Sequence, residues 1–383
     1  MELLKLLFVI FIFLSLYSYI VYPLLLALLS LFFRKKLNTS DETPSVTLII
    51  SAFNEEAVIE KKIRNSLDLN YPKERLEIMV VSDHSTDRTD LIVKSFSREN
   101  VALLSQPARK GKTAGLNEAV KKASGDLLVF SDADAIYPSD TIRKMVFSLS
   151  DPSVGLVTGT TRYVPEGDEK IAEASGMYTR LERFIKRHEG RIGSCVGADG
   201  AIFAVRKTLY QPLQNDDIND LVIPLNVVRQ GYRVSLDDDL YCYETSSPDS
   251  KREFQRQIRI TNRTLRALFR HSDLMNIFRY PLFSFEIISH KLIRLSVPIF
   301  MLMLILLNLI LMREGLIYEL TLSGQILFYC GALTGRWEEK NNKSMAKLRF
   351  LHYFVLVNMA ILMGWWKYLS GEQQVTWNVS SGA

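Results

Sequence analysis

Long apolar stretches near both ends of the chain enclose a middle region in which short apolar runs alternate with helical patterns. Residues 6–33 carry no charge and exceed the roughly 20 apolar residues that a helix needs to cross a bilayer. No small-residue cleavage site follows them, so they read as an uncleaved anchor. Residues 295–312 form a second span, and 316–335, carrying Glu319, and 350–369, broken by Asn358, are two further ones. In the middle, β-branched runs at 46–51, 78–82, 101–104 and 127–131 alternate with helical patterns at 55–67, 86–98, 112–123 and 139–149. This rhythm predicts an α/β domain, Rossmann-like with a mostly parallel sheet. Such a sheet gathers its functional loops at the carboxyl ends of the strands.

Those ends are polar and mostly acidic: Ser51-Ala52-Phe53-Asn54-Glu55-Glu56, Ser82-Asp83-His84-Ser85-Thr86-Asp87 and Ser131-Asp132-Ala133-Asp134. Asp132 and Asp134 can chelate Mg2+ or Mn2+ on a diphosphate, where the cation offsets the charge of a leaving group. Mg2+ commonly takes one or two carboxylates plus phosphate oxygens, which leaves the second aspartate free to bind ribose instead. The plainer alternative is a turn that caps a helix beginning near Pro138. Asp83 is placed to accept hydrogen bonds from a nucleobase or ribose, with Glu55 a second such group and Phe53 packing on the ring. Ser85 or Thr86 is suited to cap the next helix, Asp87 to its first turn, and His84 to a turn. The run 108–119 brings Gly111 and Lys112 to a helix amino terminus, a natural phosphate cradle. Its spacing is not that of a P-loop, which argues against an ATPase.

Charge orients the picture. Arg34, Lys35 and Lys36 follow the first span, and Arg336, Lys340, Lys343, Lys347 and Arg349 crowd the loop between the last two. Positive flanks mark the cytoplasmic side, so residues 34 to about 290 are expected in the cytoplasm of an inner-membrane, multi-pass protein with both termini outside. The three cysteines, Cys195, Cys242 and Cys330, share no metal spacing and read as small buried apolar residues. Arg252, Arg256, Arg259, Arg263, Arg266 and Arg270 step by four and three along one helical face, opposite Phe254, Ile258, Thr261, Leu265 and Leu268. An all-arginine stripe predicts an interfacial helix that meets membrane lipids. The net charge of +5 fits attraction to a membrane, and no motif supports nucleic-acid binding.

Taken in order, SAFNEE, VVSDHSTDRT, RKGKTAGLNEA, GDLLVFSDAD, GADGAIFAVR and NDLVIPLNVVRQGYRV resemble the membrane-bound inverting glycosyltransferases of family 2, which include cellulose, chitin and hyaluronan synthases. The resemblance covers roughly residues 45–262. It implies a GT-A fold, a nucleotide-sugar donor, usually UDP-linked, and Mg2+ or Mn2+. By the same resemblance Glu55 and Asp83 belong to the nucleoside, Lys112 and Asp132 to the nucleotide, and Asp134 with Asp132 to the metal. Asp220 matches the catalytic base, with Asp216 and Asp217 as rivals, and Gly197, Ala198, Asp199 and Gly200 match the acceptor segment. Residues 176–190 resemble the preceding helix, with Tyr178, Leu181 and Phe184 as core and Glu182 or Glu189 in an acceptor groove.

One motif departs. Where processive members carry QxxRW, this chain reads Arg256-Gln257-Ile258-Arg259-Ile260, without glutamine in register and without tryptophan. Single addition to a lipid-linked or glycan acceptor is therefore expected, with Arg259 as a diphosphate contact. The alternatives are a processive polysaccharide synthase, a sugar-phosphate nucleotidyltransferase and a non-catalytic membrane scaffold. The expected layout is an anchor at 1–36, a cytoplasmic domain at 37–248, an interfacial helix region at 249–290 and a membrane region at 291–383.

Overall fold

The computed structural model describes residues 1–33, 39–40, 42–165, 169–246, 250–340 and 346–373. Arg34, Lys35, Lys36 and Lys343 lie outside the described residues, as do residues 37, 38 and 41 of the expected tether at 37–43 and the side chains of Tyr178, Lys340 and Lys347.

Helix α1 (Glu2–Phe32) leads into a seven-stranded sheet. The strands are β1 (Val46–Ala52), β2 (Leu76–Ser82), β3 (Val101–Ser105), β4 (Leu127–Asp132), β5 (Val154–Pro165), β6 (Phe203–Arg206) and β7 (Arg233–Ser246). Helices α2 (Ile59–Leu67), α3 (Thr89–Ser95), α4 (Lys112–Lys122) and α5 (Thr141–Leu149) follow the first four strands in turn. Then come α6 (Glu169–Ile192) before β6 and α7 (Asn219–Arg229) before β7. β1 is buried at every position, as a parallel strand covered on both faces must be. Its alternate residues feed two cores: Leu48 and Ile50 pack with Ile59, Ile63 and Met145, whereas Ile49 packs with Leu116, Ala119 and Val222.

The strand order is β3-β2-β1-β4-β6-β5-β7. β1 pairs in parallel with both β2 and β4, while β6 runs antiparallel to β4 and β5. The chain builds outward from β1 to β3, then returns to β4 on the other side. That reversal opens a crevice at the carboxyl ends of β1 and β4, where ligands of such sheets bind. Register sets Asp132 beside Ser51 and Ser82 beside Ala52, so the three polar strand ends share one edge.

Four helices are long and apolar enough to cross a membrane: Glu2–Phe32, Pro281–Leu311, Leu316–Trp337 and Leu348–Leu369. The last three belong to α9 (Pro281–Leu311), α10 (Leu316–Lys340) and α11 (Ala346–Leu369). α1 and α9 each widen by a π-turn, at Tyr17–Val21 and Ile288–Ile293. The two turns meet where the Tyr17 hydroxyl lies 2.9 Å from Ser289 Oγ. Cys195 and Cys242 are buried, as expected, but Cys330 is exposed on α10.

The arginine helix α8 (Ser250–Arg270) forms as expected, and Ile258, Thr261, Leu265 and Leu268 are buried. Its stripe, however, is not one open face. Arg263 and Arg270 turn inward onto the α/β domain, Arg256 pairs with Glu253, and Arg266 donates to the Glu372 carbonyl at 2.8 Å. The counter-charges of Arg270, Asp216 and Asp217, come from a distant loop, which spacing along one helix does not reveal.

Candidate active site

The sequence leads to the expectation of a donor side and an acceptor side in this crevice, and the expected donor side is built on β1, β2 and β4. Asn54 and His84, at φ +54° and +60°, turn the chain sharply after β1 and β2, so both following helices begin three or four residues later than periodicity suggests. Asp87 does the work expected of Ser85 or Thr86. It accepts from the Thr89 and Glu56 amides at 2.9 and 3.0 Å, while Ser85 and Thr86 bond to Asn54.

Asp83 is buried and turned toward the 106–111 loop. It accepts from Gln106 Nε2 at 2.8 Å and from the Lys110 and Gly111 amides at 2.9 and 3.0 Å. It therefore shapes the loop that opens α4, with Gly111 at φ +89° and Lys112 in the first turn. Arg109 lies 3.9 Å over the Phe53 ring, on a face expected to meet a nucleobase.

Asp132 and Asp134 do not cap a helix, since α5 starts only at Thr141. Instead the Lys112 ammonium bonds Asp132. Burial alone would lower the pKa of Lys112, but its pairing with Asp132 outweighs this and raises it. Uncompensated negative charge collects here. Burial, then Asp134 and Asp132, raise Glu55 to about 7, and burial with Asp132 raises Asp134. Two neighbours were missed from sequence. Glu244, on β7, is raised to about 9 by burial and then by Asp134 and Asp132. Lys62, fully buried, bonds the Ala135 carbonyl and lies 3.8 Å over the Tyr137 ring, fixing the loop beneath Asp134. A lysine on the apolar face of α2, between Ile59 and Ile63, was the available signal. Hard carboxylate oxygens that repel one another fit a divalent cation. Among the described residues no group of three ligating side chains forms, so diphosphate oxygens and water would complete its shell.

The acceptor side is assembled from α6, α7, α8 and the 197–200 segment. Asp220 stands in the first turn of α7, its Oδ1 buried and without a hydrogen-bond partner among the described residues. Its carbonyl accepts from the Ala198 amide at 2.7 Å. A Cβ at Gly200 would stand 3.2 Å from Asp220 Oδ2, and Gly197 adopts φ +108°. Gly200 thus makes room for the carboxylate itself, and Gly197 for the left-handed turn beside the Asp220 backbone. Asp199 is committed to Thr161, at 2.8 and 2.9 Å, and to the Ala201 amide. Lys186 donates to the Ala198 carbonyl at 2.9 Å. Burial raises the Asp220 pKa, against the pull of Lys186 and Lys112, and a raised carboxylate pKa suits a general base.

The rivals of Asp220 are engaged elsewhere. Arg270 holds Asp216 through two bonds of 2.9 Å and also pairs with Asp217. Arg263 donates to the carbonyls of both and to Thr113 Oγ1 at 3.2 Å, tying this loop to the start of α4. Arg259 has no hydrogen-bond or ion-pair partner among the described residues, and burial followed by Arg263 and Arg256 lowers its pKa to about 10. Glu182 and Glu189 do not line an open groove. Glu182 is held by His290, Lys291 and Arg294 at 3.1, 3.1 and 2.6 Å, and Glu189 by Tyr22, His290 and the Val196 amide. They join α6 to the apolar helices.

An acidic crevice at the switch point of a mostly parallel sheet, flanked by apolar helices, is the arrangement expected of a GT-A fold. Residues 47–211 match the family model described as Glycosyl transferase family 2. The chain thus carries a Glycosyl transferase family 2 domain. It is 37% identical over 161 residues to the beta-monoglucosyldiacylglycerol synthase of Synechocystis sp., covering 40% of this chain and 34% of that one. It is 29% identical over 204 residues to the probable glycosyltransferase YdaM of Bacillus subtilis, covering 50% and 49%. It is 27% identical over 209 residues to the poly-beta-1,6-N-acetyl-D-glucosamine synthase of Staphylococcus aureus, covering 53% and 50%. The chain spans half or less of the length of these relatives. Among solved structures, a mannosyltransferase from Pyrobaculum calidifontis in complex with GDP-Man and Mn2+ shares its fold. The TM-score is 0.72 at 21% identity, with 96% of this chain and 100% of that one covered.

Proposed function

We propose that the protein is an inverting, divalent-metal-dependent glycosyltransferase of the plasma membrane, with its α/β domain in the cytoplasm. It moves one sugar from a nucleotide-diphosphate sugar to a lipid-linked or glycan acceptor in cell-surface polysaccharide or glycolipid synthesis. The observation that carries this reading is the Asp220 carboxylate, whose buried Oδ1 has no hydrogen-bond partner among the described residues. It is held against Gly200, on a different set of elements from Asp132, Asp134 and Lys112. Inverting displacement needs this division, because the base must act on the face opposite the leaving group.

In the proposed step Asp220 takes the acceptor hydroxyl's proton as that oxygen bonds to the anomeric carbon. The bond from that carbon to the phosphate oxygen breaks, and the electron pair leaves with the nucleoside diphosphate. Asp134 and Asp132 would hold a divalent cation, which supplies Lewis-acid neutralisation of the diphosphate. The amino terminus of α4, Lys112 and Arg259 receive the remaining phosphate charge.

The family resemblance favours UDP, while the P. calidifontis neighbour was solved with GDP-Man, so both bases belong in the test. Purified protein in lipid, with Mg2+ or Mn2+ and a panel of UDP- and GDP-sugars, is expected to release nucleoside diphosphate and give a product of inverted anomeric configuration by NMR. Retention, or pyrophosphate release from a nucleoside triphosphate as the sole reaction, would overturn the reading. A ladder of long polymers would instead identify a processive synthase.

A further inference from the structure

Helices α1, α9, α10 and α11, with Leu181 of α6, enclose a cavity of about 760 Å3, within the usual size range of small-molecule sites. On α1 it follows Phe8, Ile12, Ser15 and Tyr19, and on α9 Val297, Met301, Leu304 and Asn308. Both sets step by four, three and four, which keeps one helical face on the cavity over about 16 Å. The wall is almost wholly apolar. Of its few polar groups, Asn308 donates to Gln325 at 2.7 Å and accepts from Thr321 at 2.8 Å, and Asn358 donates to the Phe354 carbonyl at 2.8 Å. Only Ser15 Oγ and Asn358 Oδ1 of this wall are buried without a hydrogen-bond partner among the described residues, too few to satisfy a sugar ring. A glycan would leave most of its hydroxyls without partners here, at considerable cost. A hydrocarbon chain would not.

One end of the cavity lies beside the acceptor side of the site. Tyr19 and Leu181 mark that end, with the Arg294 guanidinium 5.7 Å from the Tyr19 ring and bonded to Glu182 at 2.6 Å. One turn along α6 from Glu182, Lys186 bonds the Ala198 carbonyl, and the Ala198 amide bonds the Asp220 carbonyl. The same helix thus borders the cavity and positions the base.

We propose that this cavity receives the hydrocarbon tail of the glycosyl acceptor, a membrane lipid whose head reaches Gly197–Gly200 and Asp220. The proposal rests on the glycosyl-transfer reading and deepens it by naming the acceptor class. Gly324 offers a clean test. It lines the cavity, and a Cβ built on it meets nothing within 4 Å, so Gly324→Phe fills the space without a backbone clash, and Gly324→Ala is the matched control.

The full chain, in phosphatidylcholine vesicles containing a 16-carbon diazirine-bearing phosphatidylglycerol, is photolabelled and mapped by mass spectrometry. Labelling is expected on the Val297–Asn308 and Phe8–Tyr19 faces, falling at least fivefold in Gly324→Phe and unchanged in Gly324→Ala. In vesicles of total bacterial polar lipid, sugar from the radiolabelled donor panel is expected in the organic phase. That transfer should fall at least tenfold in Gly324→Phe, with nucleotide affinity in Mn2+ unchanged. Labelling spread evenly over outward residues such as Leu24 and Leu309, or insensitive to Gly324→Phe, overturns the cavity assignment. So does labelling that persists while sugar enters only water-soluble product, which would identify a structural lipid only. These outcomes leave glycosyl transfer intact, whereas no consumption of any nucleotide sugar by the parent overturns both.

Discussion

The two sides of the crevice are built in opposite ways. The donor side is local: Glu55, Asp83, Lys112, Asp132 and Asp134 stand at consecutive strand ends or helix starts, and the sheet register alone brings them together. The acceptor side is long-range: Asp220, Gly200, Lys186 and Arg263 come from four separate segments, joined by bonds such as that from Arg263 to Asp216 and that from Lys186 to Ala198. On the proposed reading, the sheet's topology supplies the nucleotide and metal edge, while transfer depends on elements that the apolar helices help to place. Damage to the first side should show in nucleotide binding, and damage to the second in turnover.

The largest expected effect is on the acceptor side. Asp220→Asn removes the base and should slow transfer by about 10³-fold, within the range that general-base loss costs. Asp134→Asn should follow, with transfer down about 10²-fold and the Mn2+ dependence of nucleotide affinity lost in calorimetry. That separates it from Asp220→Asn, where affinity survives. Arg259→Ala should cost about 10- to 100-fold in transfer, the worth of a charged hydrogen bond to phosphate, with thermal stability unchanged. Unchanged turnover would remove Arg259 from the site.

Arg270→Ala leaves Asp216 and Asp217 as buried carboxylates short of their counter-charge. Its partial exposure reduces the cost, so a loss of about 2 kcal/mol in denaturant unfolding is expected. The smallest effect is a pH-dependent one. Unfolded, the Glu244 carboxyl ionises at its ordinary value of 4.5, but folded it holds its proton up to about 9. The unfolded state therefore binds fewer protons through this window, and this group's contribution to stability falls as pH rises from about 4.5 to about 9. Glu244→Gln should raise the melting temperature by about 3 °C or more at pH 8 and leave it unchanged at pH 4. Equal shifts at both values would show that Glu244 ionises freely.

The same contrast explains what the chain reveals before it folds. The first four strands appear within two residues of their observed limits because short apolar runs bounded by polar turn residues leave little choice of conformation, and β1, β2 and β4 are almost wholly buried. The donor carboxylates follow directly from those strand ends. Helix starts are less legible, since the left-handed turns at Asn54 and His84 delay them. Partners across long sequence distances are hidden altogether. The arginines of α8 read as a lipid-facing stripe because Asp216 and Asp217 lie in a loop some forty or more residues earlier, and Glu182 and Glu189 looked available because His290 arrives from a later apolar helix. Glu244 went unnoticed because only the β5–β7 pairing, which sets it opposite Tyr163, carries it to the crevice.

The central claim is that nucleotide binding and proton removal belong to separate sides of one crevice. Nucleoside diphosphate affinity in Mn2+ and the transfer rate, both measured on one preparation of Asp220→Asn, test it most directly. The account expects parental affinity with transfer about 10³-fold slower. Parental transfer, or loss of nucleotide affinity in step with turnover, would contradict it.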